Sequence, residues 1–117
     1  MGNKKLFVES FLRDLKTKID VFQIIFPATR ENFIETLKKL DYVTNQCTQV
    51  IKDLTYKDYY QGPFDDTINS GVYWEFGVTI KNMEIYIKIN IGQLNKRVIC
   101  ISFHEAQFKI NYPLKDK

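Results

Sequence analysis

The chain has 117 residues, 44% of them hydrophobic and 26% charged, with a formal net charge of +3. That length and balance suit a soluble globular protein made of one domain, residues 1–117. No apolar run approaches the ~20 residues that cross a bilayer, so no membrane partner is expected. Residues 1–70 carry ten Lys/Arg and ten Asp/Glu, whereas residues 71–117 carry seven and four. The positive excess therefore lies in the second part of the chain. An anionic partner there and ordinary surface lysines both fit this distribution.

The start, Met1-Gly2-Asn3-Lys4-Lys5-Leu6, is basic but has no long apolar segment and no small-residue cleavage site, so no export signal is read. Leu6 stands where a myristoylation pattern requires Ser or Thr. Cys47 and Cys100 sit in apolar patterns and read as buried free thiols, although one disulfide between them stays formally open. A reducing, cytoplasmic setting is the expectation.

Residues 4–19 read as an amphipathic helix, with Phe7, Val8, Phe11, Leu12, Leu15 and Ile19 at helical spacing. Val21 to Phe26 is β-branched and aromatic and is stopped by Pro27, which suggests a strand at a sheet edge. A second helix runs from about Thr29 to Leu40, with Phe33, Ile34, Leu37 and Leu40 on one side. After a turn at Asp41–Thr44, Thr44 is the expected N-cap of a third helix to Leu54, with Cys47, Val50, Ile51 and Leu54 inward. Thr55 with Asp58 forms a capping-box pattern for one helical turn. Gln61-Gly62-Pro63 breaks it, and Phe64–Gly71 reads as a turn-rich loop.

Three strands follow, at about 72–80, 83–91 and 97–105. In the middle one Ile85, Ile87, Ile89 and Ile91 alternate with Glu84, Tyr86, Lys88 and Asn90, one dry face against one polar face. In the third, Ile99, Ile101 and Phe103 alternate with Val98, Cys100, Ser102 and His104. The tail from Glu105, with Phe108, Ile110 and Tyr112, reads as either a last strand or ordered coil. Helices followed by a mostly antiparallel meander define an α+β fold, N-terminal helices packed on a mostly antiparallel twisted sheet.

Register converts alternation into contacts. A two-residue turn that pairs Ile80 with Met83 sets Glu75 opposite Lys88 and Gly77 opposite Tyr86. If the next loop closes with Gly92 opposite Val98, Tyr86 meets His104 and Lys88 meets Ser102. Opposed side chains have Cβ atoms ~5 Å apart, so Glu75, Tyr86, Lys88, Ser102 and His104 would share one face. A carboxylate, a phenol, an ammonium and an imidazole make a general acid/base set with a cation for anionic charge, suited to metal-free cleavage of an RNA phosphodiester. One His and two distant Cys do not make a zinc site. The same residues also serve as plain cross-strand Glu–Lys and Tyr–His pairs on a wet sheet face.

Leu54-Thr55-Tyr56-Lys57-Asp58-Tyr59-Tyr60, Trp74-Glu75, Ile85-Tyr86-Ile87-Lys88-Ile89 and Val98-Ile99-Cys100-Ile101-Ser102-Phe103-His104 closely resemble, in order, the landmarks of the MqsR family of RNase toxins. These toxins belong to bacterial type II toxin–antitoxin systems and share the RelE-like toxin fold. The resemblance implies an endoribonuclease that cleaves mRNA without metal or cofactor and is held inactive by a cognate antitoxin. Tyr86 matches the family's active-site tyrosine. His104 falls where the family has a strand-end lysine, Glu75 where it has a glutamine after Trp, and Gln61 where it has a lysine, with Lys57 near enough to substitute. His and Glu are better proton-transfer groups near neutral pH than Lys and Gln. On this reading Glu75 is the base or orients it, and His104 is the acid. Lys88 stabilises phosphate charge, and Tyr86 stacks on a base or bonds the phosphate. Lys57, Gln61, Arg97 and Ser102 are the expected RNA contacts. A non-catalytic RNA- or protein-binding module on the same fold, or an inactivated toxin homologue, remains the alternative.

Overall fold

The computed structural model describes residues 3–117. Helices α1 (Asn3–Phe22), α2 (Glu31–Leu40) and α3 (Thr44–Lys52) pack on a five-stranded sheet. The strands are β1 (Ile24–Ile25), β2 (Tyr59–Asp65), β3 (Val72–Ile80), β4 (Met83–Asn90) and β5 (Val98–Glu105). Their order is β1-β5-β4-β3-β2, antiparallel except for the parallel pair β1–β5. This is the expected α+β architecture. No helix among the described residues is long and apolar enough to cross a membrane.

The apolar stripe of α1 builds the core. Val8, Phe11, Leu12, Leu15 and Ile19 are buried, and Phe11 stacks on Trp74 with ring centroids 4.6 Å apart. Opposite them lie Phe76, Ile85, Ile87 and Ile89, all fully buried. Phe33 of α2 meets Phe103 of β5 edge-on at 6.4 Å. Cys47 and Cys100 are buried free thiols, as expected. Burial pushes the Cys47 thiol up to about 11 and the Cys100 thiol higher still.

Local chemistry accounts for several differences from the sequence expectations. Val21 and Phe22 complete α1 rather than opening a strand, and Gln23 then turns the chain with φ 70°. Only Ile24 and Ile25 pair with β5, at the sheet edge. Ile34 points outward at 40% exposure, and buried Thr36 takes the inward place and accepts the Glu105 N–H. Val43, not Thr44, is the N-cap of α3, and its N–H donates to the Gln46 side chain at 2.8 Å. The Thr55/Asp58 capping box is present and caps a single 3₁₀ turn, Tyr56–Asp58.

The larger correction concerns Gln61–Asp65, read above as a break and a loop. These residues are part of β2, paired with β3. Pro63 cannot donate to a ladder, but an edge strand with register shifts on both sides of Gln61 tolerates it. The tail is ordered coil rather than a strand, with Ile110 and Leu114 buried.

The β3–β4 hairpin has the expected register, Ile80↔Met83 through Gly77↔Tyr86 to Glu75↔Lys88. Lys81 and Asn82 both take positive φ, 51° and 66°, as a type I′ turn requires. The β4–β5 pair gives Tyr86↔His104 and Lys88↔Ser102, again as expected. The next pair, however, is Ile89↔Cys100, so Ile101 is the extra residue of a β-bulge. Val98 and Cys100 consequently sit in the core, and Ile99 and Ile101 do not.

Candidate active site

Trp74, Phe76 and Ile87 face the helices, so the intervening residues of β3 and β4 face the other side of the sheet. Two rows of that face contain the expected cluster. Gly77, Tyr86 and His104 form one, and Glu75, Lys88 and Ser102 the next.

Contacts link four residues across these rows. The Tyr86 hydroxyl donates to Glu75 Oε1 at 2.6 Å. Gln61 Nε2 donates to Glu75 Oε2 at 3.2 Å, so the edge strand missed in the sequence supplies the second partner. The rings of Tyr86 and His104 lie 5.4 Å apart. The His104 Nδ1 is 2.9 Å from the Glu105 carbonyl oxygen, leaving Nε2 as the free ring nitrogen. Gln61, Glu75, Tyr86 and His104 thus form one chain of contacts across four strands.

Glu75 is 6% exposed, and both carboxylate oxygens are bonded. Burial, and then the bond to this carboxylate, raise the Tyr86 phenol above its ordinary range. The phenol therefore keeps its proton at neutral pH. Lys88 stands opposite Glu75 but turns its ammonium over the Tyr73 ring, 4.4 Å from the centroid. Ser102 is buried opposite Lys88.

Two of the expected RNA contacts lie outside the cluster. Lys57 lines a separate recess with Gly77, Tyr112 and Lys115. Arg97 is exposed in the turn before β5, at the far end of that strand from His104. His104 itself borders a shallow recess of about 260 Å³ shared with Lys39 and Glu105.

The tail contributes to this face in a way the sequence did not reveal. The Ile110 N–H and the Tyr112 hydroxyl both donate to Glu84, at 3.1 and 2.8 Å. A Cβ on Gly77 would lie 2.6 Å from Ile110 Cδ1 and 2.6 Å from Tyr112 Oη, so the glycine is what lets the tail seat there. A glycine inside a strand pattern signals such close approach. Half-exposed Phe108 then lies 6.1 Å from Tyr86 and 5.8 Å from Tyr60.

Beyond Lys88 the same face opens into a cleft of about 420 Å³. Its outer wall is the loop between β2 and β3. Asp66 accepts from the N–H groups of Ile68 and Asn69 and from the side chains of Asn69 and Asn90. Burial works to raise the Asp66 carboxyl, but these bonds outweigh it and hold the group down at about 2. Buried Asn90 also donates to the Ser70 carbonyl and accepts the Gly92 N–H, which pins the loop to β4.

Comparison with family models, with curated proteins and with solved structures found no match to this chain. What fold and site define is an α+β domain whose open sheet face carries a Gln–Glu–Tyr–His chain beside a lysine.

Proposed function

We propose that the chain is a metal-independent endoribonuclease toxin, an mRNA interferase of a type II toxin–antitoxin system. One observation carries this reading: Gln61, Glu75, Tyr86 and His104 touch in sequence, with Lys88 opposite Glu75 in the same row. These are the positions that the resemblance to the MqsR family marks, brought from four separate strands to one face.

The arrangement suggests a division of labour. The RNA 2′-hydroxyl passes its proton to the Tyr86 oxygen as the phenol proton moves to Glu75, the carboxylate to which it already donates. The 2′-oxygen attacks phosphorus, and Lys88 balances the charge that develops there. His104 enters the step as the imidazolium, gives its Nε2 proton to the departing 5′-oxygen and is left neutral with its Nδ1–H on the Glu105 carbonyl. The products are a 2′,3′-cyclic phosphate and a free 5′-hydroxyl. Gln61 holds the far oxygen of Glu75 and so acts as a positioning residue. A toxin of this kind is paired with an antitoxin, whose surface would cover this face or hold the substrate away from it.

The second reading is a non-catalytic RNA- or protein-binding module on the same fold. It is favoured by the burial of Glu75 and the engagement of both its oxygens. Incubating the purified chain with mRNA in the presence of EDTA separates the two. Cleavage with cyclic-phosphate ends, lost in both Tyr86→Phe and His104→Ala, supports the nuclease. Intact RNA from wild-type protein that still binds it would establish the binding module instead. Co-expression with the neighbouring gene, and relief of growth arrest by it, tests the antitoxin.

A further inference from the structure

We infer that the cleft beyond Lys88 is a nucleobase subsite, which holds the base next to the scissile phosphate and sets the cleavage sequence. The inference rests on the nuclease reading for its role, but the cleft stands on its own geometry.

Its floor is made by Tyr73, Lys88, Ile99 and Ile101. The β-bulge at Ile101 interrupts the in–out alternation of β5 and gives Ile99 and Ile101 to the floor, where strict alternation from core residue Phe103 would have turned both inward. Bulges at functional sites commonly re-aim side chains in this way. On one side stand Phe26, Pro27 and Arg30; on the other stands the loop at Thr67–Asn69. Flat apolar faces and polar loop atoms at the rim match a nucleobase, which offers an aromatic plane and a hydrogen-bonding edge. The cations Arg30 and Lys88 are offset by the Asp65 and Asp66 carboxylates, so the cleft suits the base and not the phosphate.

Position supports the same ligand. Lys88 belongs to both places: it lines the cleft floor, and it pairs in register with Glu75. Tyr73 lies two residues from Glu75 on the same face, about 7 Å along the strand. That is the scale of one nucleotide step in an extended RNA strand. A phosphate beside His104 therefore sets a neighbouring base toward Lys88 and the two isoleucines.

The loop is also built to hold a shape. Asn90 and Asp66 fix its ends through five hydrogen bonds, and Ile68 at its tip is 88% exposed among the described residues. A stiff wall with an uncovered apolar residue at the mouth of a cleft suits an edge-on base better than a mobile lid.

The test compares wild type with Ile101→Trp, which fills the floor, and Ile68→Ala, which strips the rim without touching the core. Each is assayed on a randomised RNA pool and on one preferred oligonucleotide, with folding checked by circular dichroism. The expected result is a changed base preference beside the cut and a KM raised about tenfold, the order a lost base contact costs, with kcat within about threefold. Wild-type preference and KM in Ile68→Ala and in any folded Ile101→Trp overturn the subsite. If the wild-type chain cleaves nothing, the nuclease reading fails by itself. The cleft is then judged by methyl NMR with a 2′-O-methyl dinucleotide. Shifts confined to Ile68, Ile99 and Ile101 uphold it, and their absence at millimolar ligand ends it.

Discussion

The bond between Tyr86 and Glu75 is open to direct measurement, because Tyr86→Phe removes one oxygen and keeps the ring between His104 and Phe108. At 2.6 Å onto a buried carboxylate, it belongs to the charge-assisted class, worth about 1.5–3 kcal/mol. A chain of 117 residues unfolds with an entropy of about 0.25 kcal/mol/K, from roughly 2.1 cal/mol/K per residue. A loss of about 2 kcal/mol therefore lowers Tm by about 8 °C. The cleaner experiment is a double-mutant cycle with Tyr86→Phe and Glu75→Gln, read by urea denaturation at pH 7. Coupling of about 1 kcal/mol or more is expected, since Tyr86→Phe removes the donor and Glu75→Gln removes the charge that strengthens the bond. Coupling below about 0.5 kcal/mol would refute the reasoning. It would mean that the phenol and the carboxylate are separated by solvent, and that no proton path joins them.

Three further outcomes follow from the same geometry. Burial and donation to Glu75 and Glu84 raise the phenols of Tyr86 and Tyr112, so a spectrophotometric titration should gain the absorbance of these two above pH ~10 only when the chain unfolds, and Tyr86→Phe and Tyr112→Phe should each remove one such step. The sign is that of raised groups: their stabilisation is full below the unfolded value of about 10 and is lost as pH rises. Asp66 has the opposite sign. Its contribution is complete above the unfolded value of about 3.9 and is lost as pH falls through about 2, so acid unfolding of Asp66→Asn should show a shallower slope over that window. Gly77→Val should unseat the tail from Glu84, and limited proteolysis should then cut within residues 107–117, which stay protected in the parent chain.

Periodicity made the helices and the three-strand meander legible, because each buries a regular stripe: Val8, Leu12, Leu15 and Ile19 at one period, Ile85, Ile87 and Ile89 at the other. It failed where structure depends on a neighbour. Gly62-Pro63 is a break by local chemistry, yet β3 offers an edge that accepts the strand around it. Thr44 is the better cap by residue type, but Gln46 reaches back to the Val43 N–H and shifts the helix start by one residue. The tail could not be placed because its anchor, Glu84, lies 26 residues before Ile110 and its seat is the missing side chain of Gly77.

The candidate site was legible for a more particular reason. The expected closure of Gly92 opposite Val98 does not occur, since the pairing ends at Asn90↔Ile99. Carried along a regular ladder, that one-residue difference would have moved His104 off Tyr86 and turned it to the core. The bulge at Ile101 cancels it, and Tyr86↔His104 and Lys88↔Ser102 stand as the hydrophobic pattern of β4 and Phe103 demand. Phe103 must face Phe33 and Ile87 to complete the core, so its neighbours Ser102 and His104 must face the other way. At the other end Val98 and Cys100 must also face the core, and an odd number of residues cannot satisfy both ends without one bulge. The bulge is thus required by two separate packing demands on one strand. Where it falls, it does two things at once: it aligns His104 with Tyr86, and it gives Ile99 and Ile101 to the cleft beside them. Deleting Ile101 should therefore leave a regular ladder, Ile89↔Cys100 followed by Lys88↔Ser102, which keeps Tyr86 opposite His104 and takes one side chain from the cleft floor.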